Sequence, residues 1–289
     1  MRAWLELARI SNLPTVWTNV LAGWLLAGGR WDWTILPWLL VGASLLYTGG
    51  MILNDAADLK FDREHRQERP IPSGRVSHIE AWSVGGAFML AGSAVFVWAA
   101  HACPWLVLAL VVAILFYDLY HKPWAGSVFV MGSCRTFLYL VAASAVTGGL
   151  SFTENQDVIL KAIALGGYVV GLSLVARHEG GAKKAGIGWL LLGLFGLILP
   201  ILVAFVQVDS VNLPYTFGVA VVLMMIVMFA IKLMRKPPKS NIGRAVGLLL
   251  AGIVVVDALA ISPFQPIAAI FFFLSMPLLL LWQRKIAAT

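Results

Sequence analysis

The chain has 289 residues, of which 60% are hydrophobic and only 12% charged, with 12 tryptophans and a formal net charge of +7. So few charges cannot clothe that much hydrocarbon in water, which excludes an ordinary soluble domain. The composition is that of an integral membrane protein built from helices, each of about 20 apolar residues, because a helix satisfies its own backbone where water is absent.

Ten apolar runs follow one another, at 12–28, 35–53, 80–100, 102–118, 126–148, 158–176, 186–207, 213–234, 243–261 and 263–283. The first contains Asn12, Pro14, Thr15 and Asn19 and has no convincing cleavage site, so it is expected to stay as a span rather than leave as a signal peptide. The ninth is short and carries Asp257 near its middle, so the expectation is nine to ten spans in one domain, residues 1–289. Of the 21 basic residues, 18 fall at the termini or in the even-numbered gaps between runs, which places both termini and those gaps in the cytoplasm of a bacterial inner membrane. That distribution also accounts for the net charge through anionic lipid, so no nucleic-acid partner is expected. Cys103 and Cys134 give neither a disulfide nor a metal pattern, and Gly85, Gly86, Gly92, Gly247 and Gly252 are expected to be close-packing positions between helices.

After the second run comes the charged stretch MILNDAADLKFDREHRQERPIPSG, residues 51–74. Asn54, Asp55, Asp58 and Asp62 form the pattern N-D-x-x-D-x-x-x-D. On a helix continuing out of the bilayer, Asp55 and Asp62 share a face about two turns apart, with Asp58 roughly 60° round the axis. Carboxylates so crowded repel one another unless a cation joins them, and hard oxygens suit Mg²⁺, which combines one or two carboxylates with waters and phosphates. Lys60, Arg63, Arg66, Arg69 and Arg75 follow, so metal on one side and guanidinium on the other make a candidate diphosphate site. A solvated loop of internal salt bridges is the competing reading of the same charges.

The order N-D-x-x-D-x-x-x-D followed by E-R-P-I-P-S-G-R resembles the UbiA superfamily of membrane prenyltransferases. So do the stretches RISNLPTVWTNVLAGWLLAGG and YDLYHKPWAGSVFVMGSCRTFLYL, and together the likeness covers roughly the first 180 residues. The resemblance implies an all-α transmembrane bundle with cytoplasmic polar cap loops and a cavity open to lipid. It also implies an isoprenoid diphosphate on Mg²⁺, for which Asp55, Asp58 and Asp62 are the candidate metal ligands, Asn54, Lys60, Arg63, Arg69, Lys122, Arg135 and Arg177 the candidate diphosphate contacts, and Asp55, Asp58, Asp62 and Glu179 the candidate catalytic residues. Ionisation of the allylic C–O bond throws negative charge onto the diphosphate, and Trp17, Phe116, Tyr117 and Tyr120 are candidates to shield the allylic cation.

The second acidic motif of the superfamily departs here, reading LVARHEGGAKKAG, with Glu179 as its one carboxylate beside Arg177 and His178. An R-x-E in this place is similar to the EboC-like branch. One acid for two or three implies a single Mg²⁺, a cation of Arg177 or of Lys183 or Lys184 in place of the second metal, or a site that binds without turnover. Asp118 is a further acid on the same membrane face and a candidate contributor to the site, its simplest reading being a helix-end acid beside Lys122. Arg135, about ten residues inside its span, is a candidate diphosphate or acceptor contact, the alternative being a structural partner for Asp257, itself read as structural. Asn12 and Asn19 share a helix face toward the cavity or a neighbouring helix, and only His178 of the histidines is expected near the site. The expected function is Mg²⁺-dependent transfer of a prenyl group to an aromatic or other small lipophilic acceptor. The alternative is a binding or translocation protein that has lost turnover, with transfer of another group onto a polyprenyl phosphate as an intermediate case.

Overall fold

The computed structural model describes residues 2–121, 124–149, 154–179, 187–206, 208–235 and 240–283. Lys122, Lys183 and Lys184 lie outside them, as do the side chains of His178 and Glu179. All regular structure among the described residues is helical. A short α1 (Arg2–Leu7) and a 3-10 turn (Ile10–Asn12) lead into α2 (Leu13–Leu26), α3 (Leu36–Ala57) and the short α4 (Leu59–His65). Then come α5 (His78–Ala94), extended by a π turn (Val95–Ala99), α6 (Pro104–Tyr120), α7 (Ser127–Thr147) and α8 (Gln156–Glu179). The last four are α9 (Ile187–Ala204), α10 (Leu213–Met234), α11 (Ser240–Ile261) and α12 (Pro266–Gln283).

Each of the ten apolar runs corresponds to one of these helices, and seven are long and apolar enough to cross a membrane. Helices α6 and α12 are apolar but shorter, and α2 has only 14 residues. The ninth run corrects its expectation. It forms a 22-residue helix, α11, with 78% of its apolar window buried inside the protein, against 28% for α5, α9 and α10. Asp257 does not interrupt that helix, because neighbouring helices satisfy its carboxylate.

Helix starts are written locally. Proline occupies the first turn of α2, α3, α6 and α10, where its missing N–H costs nothing. At α5, Ser77 accepts from the Glu80 N–H and Glu80 accepts in return from the Ser77 N–H, a capping box that ends the charged stretch and sends the chain back into the bundle. Packing then brings α3 against α5, α6 and α2 against α7, and α7 against α8. Helix α11 closes the bundle by touching both α2 and α8, so the second half of the chain returns to the first long helix.

Small residues permit these approaches. A Cβ on Gly132 of α7 would stand 2.6 Å from the carbonyl oxygen of Gly166 in α8, so only glycine lets those two helices meet. Gly85, Gly92 and Gly252 are likewise crowded, whereas Gly86 has nothing within 4 Å, which corrects the expectation for that residue. Successive residues of a helix point about 100° apart, and Gly86 faces away from the α3–α5 contact made by its neighbour.

Candidate functional site

The charged stretch folds back over the end of α3. The hydrogen-bond ladder of α3 continues through Asp58, whose N–H donates to the Asn54 carbonyl at 3.0 Å and whose carbonyl accepts from the Asp62 N–H at 2.9 Å. Helix α4 therefore extends α3 past a turn at Asp58, close to the continuous helix expected. Beyond it, Ile71 and Val76 bury themselves with Leu7, Ile52, Ala56 and Ala81 in a small apolar cluster. Gly74 turns the chain at φ 76, and Arg75 ties it to Glu6 at 2.8 Å. This anchored loop aims Arg69 back at the acidic residues.

Arg69 Nη1 bridges two of the three carboxylates, reaching Asp55 Oδ1 at 3.1 Å and Asp62 Oδ2 at 2.9 Å. Arg9 Nη2 meets the same Asp55 oxygen at 2.9 Å. Arg9 has a left-handed backbone, φ 42, a conformation uncommon outside glycine, and its carbonyl accepts from the Tyr47 hydroxyl at 3.3 Å. The third carboxylate turns elsewhere, with Asp58 Oδ2 standing 3.4 Å from His121 Nε2. Asn54 Nδ2 donates to Asp118 Oδ1 at 3.2 Å, while Asp118 Oδ2 is buried with no partner among the described residues.

These groups surround a cavity of about 370 Å³. Asn54, Asp58, Asp62, Arg9, Arg66, Arg69, His121, Arg135 and Arg177 supply its polar lining, and Met51, Met131, Val169, Leu172 and Leu250 part of its apolar lining. An apolar slot between α2, α3, α6 and α7 continues inward past Leu46, Gly50, Leu110 and Ile114. The two spaces share Tyr47, Met51, Tyr117, Met131 and Arg135.

Asn54, Asp58, Asp62, Arg69, Arg135 and Arg177 are thus brought together as the sequence suggests, and Asp55 stands just behind the wall, 5% exposed and gripped by two arginines. Lys60 and Arg63 are not brought in. Both open onto surface grooves outside the cavity, beside Glu64. The reason is helical register: Asp62 is on the inner face of α4 and Arg66 follows the end of that helix, whereas Lys60 and Arg63, three apart, share the outer face. Of the four candidate aromatic shields only Tyr117 lines the cavity; Trp17 donates to Ser44 on the periphery, and Phe116 and Tyr120 are 43% and 54% exposed.

Two participants escape sequence reading: Arg9 reads as a topology-setting loop charge and His121 as one of several scattered histidines. Asp118, which reads most simply as a helix-end acid, is 4% exposed and bonded to the motif residue Asn54. For Asp118 a signal exists: it follows Tyr117 at the end of an apolar run, where a lone acid needs a partner.

In place of the second acidic motif, Arg177 spans a gap between helices. Its guanidinium donates to the carbonyls of Ala125 at 2.9 Å, Trp124 at 3.1 Å and His121 at 3.4 Å, and to Ser127 Oγ at 2.5 Å. It therefore pins the α6–α7 connection to the cavity wall. Deeper, Arg135 donates to Asn19 Oδ1 at 2.6 Å and Thr15 Oγ1 at 3.1 Å.

The donor set fits Mg²⁺. Among the described residues no three acidic, histidine or cysteine side chains stand close enough to enclose a metal by themselves. Asp58 and Asp62 offer hard carboxylate oxygens at the cavity wall, and the rest of a coordination shell is left to waters and phosphate, the arrangement Mg²⁺ prefers.

Comparison with known proteins follows the same lines. The UbiA prenyltransferase family is matched over residues 15–253. A digeranylgeranylglyceryl phosphate synthase of Sulfurisphaera tokodaii is 31% identical over 165 residues, 55% of this chain and 56% of that protein. A 4-hydroxybenzoate octaprenyltransferase of Methylibium petroleiphilum is 39% identical over 84 residues, 28% of this chain and 27% of that protein. The chain thus spans about half the length of the first relative and about a quarter of the second. The apo structure of a UbiA homolog from Aeropyrum pernix K1 superposes with a TM-score of 0.67 at 17% identity, covering 86% of this chain and 95% of that one. A UbiA homolog from Archaeoglobus fulgidus, solved with GPP and Mg²⁺ bound, gives 0.58 at 15% identity over 89% of this chain and 99% of that one. At such identities the structural likeness concerns the fold.

Proposed function

Since this chain belongs to the UbiA prenyltransferase family, an integral membrane fold, we propose that it moves a prenyl group from an isoprenoid diphosphate to a lipophilic acceptor inside the bilayer. The observation that carries the proposal is the junction of two unlike spaces: a cavity ringed by carboxylates and arginines opens directly into an apolar slot, with Met51, Tyr117 and Arg135 at the seam. A diphosphate on an isoprenoid tail has the same two halves. The relatives named for prenyl transfer and the homolog bound to GPP and Mg²⁺ support this reading.

Asp58 and Asp62 hold Mg²⁺ in this proposal, with Asp55 neutralised by Arg9 and Arg69 and keeping both guanidinium groups at the cavity mouth. The metal, when bound, supplies positive charge to the departing diphosphate. Arg66, Arg69 and Arg135 donate to its oxygens, and fixed donors aimed where charge develops lower the barrier to leaving. The allylic C–O bond breaks with its electron pair going to the diphosphate, the acceptor nucleophile forms the new bond to the allylic carbon, and the proton the acceptor loses passes to the released diphosphate. Tyr117 borders the reacting end with its ring. The enclosing Met51, Met131 and Leu250 exclude water that would otherwise capture the cation.

Arg177 takes over charge and loop-fixing that a second acidic motif and its metal perform elsewhere, so a single Mg²⁺ suffices in this reading, and Glu179 contributes as an auxiliary acid. The membrane orientation proposed from the basic residues places both termini and the cavity mouth in the cytoplasm, in nine to ten spans of a bacterial inner membrane. The acceptor belongs to the aromatic or other small lipophilic class.

The test is incubation of the purified protein with Mg²⁺ and a series of allylic diphosphates, measuring diphosphate release with and without phenolic and alcoholic acceptors. Acceptor-dependent release is expected. Metal-dependent binding without release from any diphosphate would replace transfer by a carrier or binding role.

A further inference from the structure

Below the cavity, a chain of buried polar groups links α7 to α2 and α2 to α11. Arg135 donates to Asn19 Oδ1 at 2.6 Å. The Asn19 amide nitrogen in turn reaches both oxygens of Asp257, at 2.9 and 2.8 Å, and Tyr139 donates its hydroxyl to Asp257 Oδ1 at 2.6 Å. Thr15, Asn19, Tyr139 and Asp257 are all 0% exposed, so no water competes for these bonds.

Chemistry gives the chain a direction. A carboxylate only accepts and a guanidinium only donates, so an amide between them satisfies both in one orientation alone: nitrogen toward Asp257, oxygen toward Arg135. The charge on α11 therefore fixes which face Asn19 shows to α7. Arg135 has five N–H donors, and the partners seen for it among the described residues are Asn19 and Thr15, leaving further donors at the edge of the cavity it lines. An arginine with its stem in an apolar bundle swings unless something holds it, and a swinging guanidinium is a poor preorganised donor.

We propose that Asp257 is a positioning residue for the diphosphate site: acting through the Asn19 amide, it sets the direction in which Arg135 presents its free N–H groups to the substrate. This rests on the reading that the cavity receives a prenyl diphosphate. It assigns a role in that site to the ninth apolar run, which contributes no charge to the cavity wall itself.

The test measures Kd for geranyl diphosphate in Mg²⁺ with detergent-solubilised full-length protein. In Asp257→Asn one of the two oxygens that hold the Asn19 nitrogen becomes an NH₂ group facing it and the charge is lost, so the Asn19 amide loses its charge-assisted anchor, Arg135 is held less firmly, and Kd is expected to rise about tenfold, the weight of one charge-assisted hydrogen bond. The exchange Asn19→Asp with Asp257→Asn restores every donor–acceptor match, since the carboxylate introduced on α2 would accept from both the guanidinium and the new amide on α11. It is expected to return Kd to within about threefold of wild type. In an Arg135→Gln background Asp257→Asn is expected to add nothing, because its effect passes through the arginine.

A fold-change at Asp257 that persists undiminished without Arg135, or a folded exchange variant as weak as Asp257→Asn, overturns the proposal by making the network structural only. Should Asp257→Asn not fold, Asn19→Ser removes the relay while leaving Tyr139 on the carboxylate and carries the same expected tenfold loss, about 1.4 kcal/mol; failure of all three variants to fold also overturns it. If the wild-type protein binds no geranyl diphosphate, the transfer reading fails and takes this proposal with it, whereas tight wild-type binding that is indifferent to Asp257→Asn sinks the relay alone.

Discussion

Arg9 and Asp55, 46 positions apart in the chain, meet at 2.9 Å. The pair joins the turn before α2 to the acidic motif at the end of α3 and, with the Arg75–Glu6 and Tyr47–Arg9 contacts, holds the N-terminal segment against the cavity. Asp55 Oδ1 accepts from Arg69 as well, so one oxygen holds two cations at the mouth.

Removal of Arg9 takes one cation from the proposed diphosphate and leaves a nearly buried carboxylate half-neutralised. Arg9→Gln is expected to lower kcat/KM for the prenyl diphosphate by about 10- to 100-fold, equivalent to about 1.4–2.8 kcal/mol of transition-state binding. Arg9→Lys should recover part of this, since charge returns without the second N–H of the fork. Steady-state kinetics at saturating Mg²⁺ read the effect, and an unchanged constant in Arg9→Gln would remove Arg9 from the site.

The three carboxylates are expected to separate by role. Asp58→Asn and Asp62→Asn should raise the Mg²⁺ concentration giving half-maximal activity and cut turnover by about 100-fold or more, on the scale of losing a charge-stabilising group. Asp55→Asn should instead weaken diphosphate binding with the metal titration little changed, because two arginines engage its Oδ1, whereas a single arginine engages Asp62 and Asp62 lines the cavity. Glu179→Gln should cost less than either metal-side change. Identical Mg²⁺ titrations for wild type and Asp62→Asn would exclude that carboxylate as a ligand.

Helix register predicts a contrast between neighbours on the charged stretch. Lys60→Ala and Arg63→Ala, on the outer face of α4, are expected to alter kcat/KM by less than about threefold, the usual small effect of a solvated charge. Arg66→Ala and Arg69→Ala, which line the cavity, should each cost at least about tenfold. A loss at Lys60 equal to that at Arg69 would mean that substrate approaches along the outer grooves.

Arg177 is tied to three carbonyls and a hydroxyl of the α6–α7 connection. Arg177→Ala leaves those acceptors to compete for water, and amide hydrogen exchange around Trp124–Ser127 is expected to quicken while exchange in the core of α8 does not. Turnover should fall together with loop protection. Unchanged exchange with lost turnover would make Arg177 a direct substrate contact and leave the loop to other supports.

How much is legible in the sequence differs by residue. The ten helices are readable because a bilayer demands long apolar runs, and the motif N-D-x-x-D-x-x-x-D because helical periodicity is local: Asp62 and Asp58 reach the cavity as spacing suggests. Lys60 and Arg63 are misplaced for want of one fact, which face of α4 turns inward, and that depends on tertiary packing, in which Leu59 of α4 joins Ile71 and Val76 in the apolar cluster with Leu7 and Ile52. Arg135 is legible as an intramembrane charge of consequence. Its choice between substrate contact and partner of Asp257 is not, and the structure makes the two compatible through Asn19.

By itself the sequence determined the solvent this protein folds in, the helices it makes there and the chemical type of its polar cap, because each follows from composition or from residues within a turn or two of one another. Only the tertiary structure decided which charges share a cavity. The meetings of Arg9 with Asp55, Asn54 with Asp118 and Asn19 with Asp257 span up to 238 positions of chain and depend on how α2, α6 and α11 pack around α3 and α7. In a bundle whose helices are apolar nearly all round, hydrophobicity alone does not select the packing; small-residue contacts and buried hydrogen bonds do, and these act between helices remote in sequence.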